Sequence, residues 1–257
     1  ITAQGADVTV RGLRVLRELD RRGSPWRVLA LTSNKGRFAE LRAAGALPLL
    51  GNLDDPATLG RLGGLADAVL HLAPPPLQGR RDPRTASLLQ ALSRRVAPQR
   101  LVYMSTTGVY GDCQGQWVSE TRPLNPQTDR AWRRVHAEGL IRAWARRHGV
   151  CATILRVPGI YALDRVGGDP RERVRRGTPS LVPEEDGYTN HIHADDLSRI
   201  ALAQPRAQLS PMQLSFWGES RRLRNDRMKQ ELGVCLRYGT VEVALGAAKA
   251  EFSAAAG

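Results

Sequence analysis

The chain has 257 residues, enough for one large α/β domain or for such a domain with a small appendage. Its 38 lysines and arginines against 25 acidic residues give a net charge of +13, which raises the question of nucleic-acid binding. The excess is mostly arginine scattered over predicted helices, without the interleaved aromatic residues of RNA-binding segments. We therefore expect no nucleic-acid partner and favour affinity for anionic cofactors or substrates.

Cysteine usage and hydropathy restrict the setting of the protein. The 3 cysteines lie far apart without a CxxC pair, so neither a disulfide framework nor a metal site is indicated. No apolar run approaches the roughly 18 residues of a membrane span, and no secretion signal is visible at the start. We expect a cytoplasmic protein that is not embedded in a membrane. The sequence begins abruptly, as if its true start were missing.

Apolar runs alternate with helical segments over the first 150 residues. The end of a first strand is predicted at Ile1 and Thr2. Further strands are predicted at 26–32, 47–50, 68–73, 101–107 and 151–156, and helices at 13–19, 36–44, 85–96 and 126–148, with another from Pro56. Repeated βα units with short links predict an α/β fold with a doubly wound parallel sheet and right-handed crossovers.

The sequence LVYMSTTGVYGD at Leu101–Asp112 is the centre of this pattern. Its apolar start suits a strand buried on both faces of a parallel sheet, and its hydroxyl residues then emerge at the carboxyl end. In open α/β sheets, ligands bind at that edge. The hydroxyl groups either line a ligand site or merely cap the strand and the turn after it.

Residues 105–111 resemble the end of the fifth strand in the extended short-chain dehydrogenase/reductase family. The similar branch of that family is the one of NAD-dependent epimerases and dehydratases. The resemblance implies a Rossmann fold that binds NAD(P), with the catalytic hydroxyl on Thr106. Four other segments resemble the family in order and spacing: VLHLA at 69–73, RVPGIY at 156–161, HIHADDL at 191–197 and NDRMKQELG at 225–233.

The glycine-rich turn departs from the family pattern G-x-x-G-x-x-G. Gly5 and Gly12 are expected to precede the first helix and to let the backbone approach the cofactor pyrophosphate. Aligning the helix places the family's last glycine on Gly12, but its first two fall on Ala6 and Thr9. The turn is therefore remodelled, or the cofactor site is impaired, or the loop merely connects strand to helix.

The family's Tyr-x-x-x-Lys pair is replaced by Arg130 and Arg134. Arginine cannot release and recover a proton near neutral pH, so the usual acid–base step cannot operate at these positions. We hypothesise that Arg134 binds the cofactor ribose or phosphate and that Arg130 binds an anionic substrate. The alternative is that both point to solvent. Tyr110, just past the hydroxyl strand, is the candidate proton donor.

The end of the second strand bears on cofactor choice. An acidic residue there would bind the ribose 2′-hydroxyl of NAD, but Thr32, Ser33 and Arg37 offer hydroxyl and basic groups instead. NADP is therefore favoured, with NAD as the alternative; the same residues also suit an ordinary solvated loop. The resemblance implies further cofactor contacts at Asn52, Leu53, Leu72, Ala73 and Val157, and we assign substrate contacts to Thr107, Tyr161 and His191.

The domain prediction is a dinucleotide-binding core over 1–160 and a small substrate-binding region over 161–257, of which 194–204 packs back on the core. We expect His71 to be a packed residue, and the cluster of His191, His193, Asp195 and Asp196 to be a structural junction rather than a metal site. Asp195 or Asp196 should cap the next helix. A short strand is predicted at Leu236–Tyr238, and the sequence after Gln204 suggests missing residues.

Two functions remain open. The first is an NAD(P)-dependent oxidoreductase, epimerase or dehydratase acting on a small anionic or sugar-like molecule. The second is a non-catalytic dinucleotide-binding sensor or scaffold, which loss of the tyrosine and lysine favours. A homodimer is expected from the resemblance alone.

Overall fold

A computed structural model describes residues 6–164, 169–177, 188–203, 213–215, 222–223, 226–241 and 243–246. The first strand predicted at Ile1 and Thr2, and the candidate Gly5, lie outside these residues. The described helices are α1 Ala6–Arg21, α2 Phe38–Ala43, α3 Pro83–Leu92, α4 Asp129–His148, α5 Pro170–Arg175, α6 Ala194–Ala201 and α7 Asp226–Leu232. The described strands are β1 Val28–Thr32, β2 Ala46–Leu50, β3 Ala68–His71, β4 Arg100–Thr106, β5 Trp117–Val118, β6 Cys151–Val157, β7 Gly159–Tyr161, β8 His191–His193, β9 Gln213–Ser215 and β10 Arg222–Leu223.

Parallel strands carry the architecture, as the βα repeats predict. Four of them are hydrogen-bonded in the order β3-β4-β6-β9, and β1 pairs with β2. Two smaller parallel pairs, β5 with β10 and β7 with β8, lie among the later segments. In the register of the central strands, Tyr103 is opposite His71, and Thr106 is opposite Val157.

Helices cover both faces of the sheet. Successive side chains of β4 point to opposite faces, and each set packs in a separate apolar cluster with helix residues. Leu101 and Tyr103 belong to a cluster that contains Leu88 of α3 and Ile141 of α4. Met104 belongs to the cluster on the other face, with residues of α1 and α6. This layering, helices on both sides of a parallel sheet, is the doubly wound arrangement.

Several predicted boundaries are wrong in ways that capping explains. The helix predicted from Pro56 is a 3-10 helix, Pro56–Leu62, whose cap Asp55 accepts a hydrogen bond from Ala57 N at 3.2 Å. Residues 35–37 likewise form a 3-10 turn before α2. Helix α4 begins only at Asp129, because the Thr128 side chain accepts a hydrogen bond from Ala131 N and sets the start.

Two further expectations need correction. Helix α1 begins at Ala6, so Gly12 lies inside it and is buried, rather than standing in the turn before it. Residues 236–238 form no strand; their backbone instead supplies donors to Asp196. Gly233 follows α7 with a φ of 59°, the left-handed conformation in which glycine commonly ends a helix.

Candidate functional site

The carboxyl ends of the parallel strands form one polar edge, and Thr106 is at its centre. Of the three successive hydroxyl residues, Ser105 and Thr107 are buried and Thr106 is partly exposed. Ser105 Oγ donates to Glu138 Oε1 at 2.7 Å, whereas Thr106 Oγ1 accepts a long 3.4 Å hydrogen bond from Gly108 N. Thr106 therefore both caps the following turn and presents a hydroxyl at the edge where ligands bind in such sheets.

Arg134 lies beneath this edge, on α4. Its side chain is buried, and its Nη1 donates to the Tyr103 hydroxyl and to the Met104 carbonyl, both at 2.9 Å. Its Nε has no hydrogen-bond partner among the described residues. The burial excludes the alternative in which Arg134 points to solvent.

Arg130 has a different environment, although it lies one helical turn earlier on α4. It is exposed, in the first turn of the helix. The i, i+4 spacing thus places one guanidinium under the sheet edge and the other at the surface. The two arginines do not form a pair that faces one common space.

A set of buried, hydrogen-bonded polar side chains lies beside Arg134, on the side of β3. His71 Nε2 lies 3.0 Å from Thr85 Oγ1, and the Thr85 hydroxyl donates to Asp82 at 2.8 Å. Burial, with the charge of Arg134 adding to it, lowers the pKa of His71 to about 3, so the imidazole is neutral. Burial also raises the pKa of Tyr103 to about 12. His71 is a packed, hydrogen-bonded residue, as predicted.

Glu138 of α4 and Arg156 of β6 form a buried ion pair. Arg156 Nη2 donates to Glu138 Oε2 at 2.8 Å, and both side chains are almost fully buried. Burial by itself would raise the pKa of Glu138, but the hydrogen bonds and charge of Arg156 outweigh it and hold that pKa below its usual value. Sequence reasoning missed this pair; the signal available was a glutamate and an arginine on segments already predicted to pack together.

Tyr110 belongs to the same network. Its hydroxyl accepts a 2.7 Å hydrogen bond from Arg156 Nη1, and the side chain is 1% exposed. A proton donor must reach the substrate. The burial of Tyr110 favours a packing role, and we leave it out of the chemistry proposed below.

The candidate cofactor residues after β1 and β2 lie at the same ends of their strands. Thr32 is buried and its Oγ1 accepts a hydrogen bond from Asn34 N, while Ser33 is exposed. Arg37 is paired with Glu40 at 2.7 Å at the surface. Asn52 Oδ1 accepts a hydrogen bond from Asp54 N in the turn after β2. Among the remaining candidates, Leu53, Leu72, Ala73 and Val157 are buried apolar residues.

The candidate substrate residues Tyr161 and His191 lie on the β7–β8 pair. Tyr161 is buried and its hydroxyl donates to the Thr240 carbonyl at 3.4 Å. His191 is exposed and lies against Gly159, where an added Cβ would be 2.7 Å from the imidazole Cδ2. Glycine is therefore needed at position 159 for this pair of strands to meet.

The cap of α6 is not an aspartate, contrary to our expectation. The buried His193 is the cap, and its Nδ1 accepts a hydrogen bond from Asp195 N at 3.3 Å. Both carboxylate oxygens of Asp196 instead accept hydrogen bonds from the backbone of Arg237 and Tyr238, at 2.8 and 2.9 Å. The HIHADDL segment thus joins β8, α6 and the tail.

Comparison with known proteins identifies the family. Residues 10–203 match the model of the NAD dependent epimerase/dehydratase family. The chain belongs to this family. A 118-residue stretch is 34% identical to dTDP-glucose 4,6-dehydratase of Mycolicibacterium smegmatis, and this alignment covers 40% of the chain and 35% of that relative. The match thus spans about a third of the relative's length.

Solved structures confirm the Rossmann architecture. A functionally unknown conserved protein from Silicibacter pomeroyi DSS is 26% identical, with a TM-score of 0.73 and coverage of 97% of this chain and 98% of that one. UDP-glucuronic acid 4-epimerase from Bacillus cereus, solved in complex with NAD, has the same TM-score at 16% identity, with 95% of each chain covered. At that identity the likeness shows the fold alone.

The composition of the edge fits a dinucleotide in two respects. The buried guanidinium of Arg134 supplies positive charge and, within the described ranges, an unpartnered Nε close to Thr106's strand. Residues 32–37 carry hydroxyl, amide and cationic side chains and no carboxylate.

As for a membrane, none of the helices in the described ranges is long and apolar enough to cross one.

Proposed function

We propose that this protein is an NAD(P)-dependent enzyme of the epimerase/dehydratase type, acting on a small anionic or sugar-like molecule. Membership of the family supports the class of reaction. The observation that carries the proposal is Thr106: a partly exposed hydroxyl at the carboxyl end of β4, opposite Val157, with the buried Arg134 anchored to the same strand. In this arrangement Thr106 orients an oxygen of the substrate.

The cofactor is held along the same edge. Arg134 contributes charge from below, the apolar Leu72, Ala73 and Val157 supply the wall, and Asn52 and Leu53 border the adenine side. Gly5, which lies outside the described residues, keeps its predicted place in the segment that approaches the pyrophosphate. NADP is favoured because Ser33 and Arg37 offer donors for a 2′-phosphate, in competition with the surface pair of Arg37 and Glu40. The dinucleotide supplies hydride exchange when bound.

The substrate faces Thr106 from the side of residues 161–257. Arg130, exposed at the start of α4, is placed to attract a negative charge, and His191 is the exposed candidate on β8. The buried Thr107 and Tyr161 contribute to the wall of the site. The named relatives act on nucleotide-linked sugars, dTDP-glucose or UDP-glucuronic acid, which carry the negative charge that Arg130 would bind.

A non-catalytic dinucleotide-binding protein is the second candidate. Two observations favour it: arginines stand at the positions of the family's tyrosine and lysine, and Tyr110 is buried against Arg156. With Tyr110 set aside, Thr106 is the remaining candidate for a catalytic hydroxyl.

The test is a titration of NAD⁺, NADH, NADP⁺ and NADPH against the protein, followed by a hydride-transfer assay with UDP-glucuronic acid and dTDP-glucose. We expect NADPH to bind about tenfold or more tightly than NADH, a difference of about 1.4 kcal/mol. Arg37→Ala should remove that preference, whereas Arg42→Ala, an arginine over the Phe38 ring, should keep it. Binding of neither dinucleotide would contradict both candidates.

Turnover separates the two candidates. We expect Thr106→Val to lose about 100-fold or more in hydride transfer while still binding the cofactor, because the substrate oxygen loses its partner. The other hydrogen bond lost is the long 3.4 Å one from Gly108 N. Dinucleotide binding without turnover in the wild type would instead support the sensor or scaffold.

A further inference from the structure

A polar cavity of about 540 Å³ is lined by residues of α1, α6 and the segment after α7. Its volume lies in the range of sites for small molecules and exceeds what a single small ion needs. None of its lining residues is a candidate cofactor or substrate residue of the site described above. We call it the arginine cavity, after five of the residues that line it: Arg14, Arg17, Arg21, Arg199 and Arg237.

The carboxylates of the arginine cavity already have partners. Arg21 Nε and Nη2 each donate to Glu18 at 2.8 Å, and hydrogen bonding of this kind outweighs burial and lowers the pKa of Glu18 to about 2. Asp164 and Asp195 both form ion pairs with Arg14. Five arginines against three carboxylates leave the lining with a net charge of +2. The cavity therefore favours an anion.

The other three arginines of the lining, Arg17, Arg199 and Arg237, have no carboxylate within hydrogen-bond distance in the described parts of the chain. For Arg199, Nε lies 4.0 Å from Glu18 and Nη1 lies 3.8 Å from Asp196, both too far for a hydrogen bond. These arginines come from α1, from α6 and from the segment after α7. Three separate elements thus direct cationic side chains to one cavity, unlike the solvated face of a single helix.

The elements that carry these arginines are fixed to one another. Val15 of α1 and Leu197 of α6 belong to the same apolar cluster. The backbone N–H groups of Arg237 and Tyr238 donate to the buried carboxylate of Asp196 at 2.8 and 2.9 Å, which holds the segment after α7 against α6. The arginines are therefore brought together before any ligand arrives, which reduces the cost of binding one.

Arg14 gives the most direct indication of a ligand. Its side chain lines the cavity and is 7% exposed, and its Nε has no hydrogen-bond partner within the described residues. A buried donor without an acceptor costs free energy. An anionic oxygen in the cavity would supply that acceptor.

We propose that the arginine cavity binds a diphosphate group, either free or as part of a phosphorylated small molecule. Guanidinium groups bind phosphate oxygens through paired, charge-assisted hydrogen bonds, and three of them on different sides suit a group that presents oxygens in several directions. The described lining residues are all polar, and none is an aromatic ring on which a nucleobase would stack. The diphosphate itself is therefore the recognised part. This site is separate from the edge of Thr106, and the inference does not rest on the proposed function.

The test is calorimetric titration of the chain with inorganic pyrophosphate, orthophosphate and UDP at one fixed ionic strength. We expect pyrophosphate to bind about tenfold or more tightly than orthophosphate. Arg17→Gln and Arg237→Gln should each weaken pyrophosphate binding about tenfold and leave Tm without ligand unchanged, because both side chains are exposed. The matched control is Arg146→Gln, at an exposed position in the last turn of α4, which should keep the affinity. Whether pyrophosphate or UDP binds more tightly distinguishes a free from an esterified diphosphate.

Three results would overturn the proposal. The first is pyrophosphate binding no tighter than that of orthophosphate. The second is an equal loss of affinity in Arg146→Gln, because the attraction would then come from the net charge of the whole chain. The third is binding that survives Arg17→Gln and Arg237→Gln and is displaced by NADPH, because pyrophosphate would then occupy the candidate cofactor edge. If these two variants lose pyrophosphate while the wild type binds no dinucleotide, the proposed function fails and the arginine cavity stands.

Discussion

At the scale of single residues, the molecule concentrates its buried charge around α4. Arg134 and Glu138 lie one turn apart on this helix and reach opposite polar groups, Tyr103 with Met104 on one side and Ser105 with Arg156 on the other. Each charge is matched by hydrogen bonds from the strands, as burial requires. These contacts fix the carboxyl end of β4, where Thr106 lies.

Removing one partner of the buried pair should be costly. We expect Glu138→Gln to lower the free energy of unfolding by about 3 kcal/mol or more, because it leaves the charge of Arg156 buried beside a neutral group. The matched control is Glu40→Gln, which breaks the exposed pair with Arg37 and should cost less than about 1 kcal/mol. Urea denaturation measures both; equal losses would contradict the assignment.

The neutral His71 predicts a pH dependence of stability. Its folded pKa of about 3 lies below the ordinary value of 6.5, so the unfolded chain binds more protons between these values. The stability it contributes is present above pH 6.5 and is lost as the pH falls towards 3. Between pH 7.5 and 5, this loss amounts to about 2 kcal/mol. His71→Asn should flatten the curve of unfolding free energy against pH; parallel curves would argue against a buried neutral imidazole.

At the scale of elements, the buried face of α4 is only partly apolar. Its buried face runs through Arg134, Glu138, Ile141 and Ala145, at spacings of three and four residues. Two of these are charged, while Trp132 is 40% exposed. The period of burial is helical, but apolar residues mark only part of the buried face, because charged side chains occupy the rest of it.

The turn after the hydroxyl strand depends on Gly111. Its φ of 66° is in the left-handed region, and an added Cβ would lie 2.2 Å from the Asn125 carbonyl oxygen. We expect Gly111→Ala to cost about 3 kcal/mol or more. Gly139→Ala, at an exposed position inside α4 with nothing within 4 Å, should instead gain up to about 1 kcal/mol. Thermal unfolding distinguishes them, and a tolerated Gly111→Ala would disprove the turn geometry.

At the scale of the whole molecule, the strand groups differ in support. β4 is bonded on both edges, to β3 and β6, and is covered by helices on both faces. β2 is bonded to β1 among the described residues, and its Leu47 and Leu50 are 42% and 48% exposed. An apolar cavity of about 730 Å³ is lined by residues of β1, β2 and β3. We therefore expect β1 and β2 to open locally more readily than β4 and β6.

Hydrogen exchange should report this difference. We expect the backbone amides of β2 to exchange at least about tenfold faster than those of β4 and β6, because local opening needs fewer buried contacts to break. Equal protection would mean that the two strand groups open as one unit.

The sequence by itself determined the order of the main strands and helices between residues 28 and 157, the parallel sheet and the edge on which Thr106 lies, because apolar runs and strand ends are local properties. The family resemblance pointed in the same direction, and the family is confirmed. The domain boundary at residue 160, the preference for NADP and the site assignments remain predictions. Only the tertiary structure decided that Arg134 is buried, that Tyr110 is bound to Arg156 and that His193 caps α6. Such contacts join segments distant in the chain, and their free energy depends on burial that no single segment specifies.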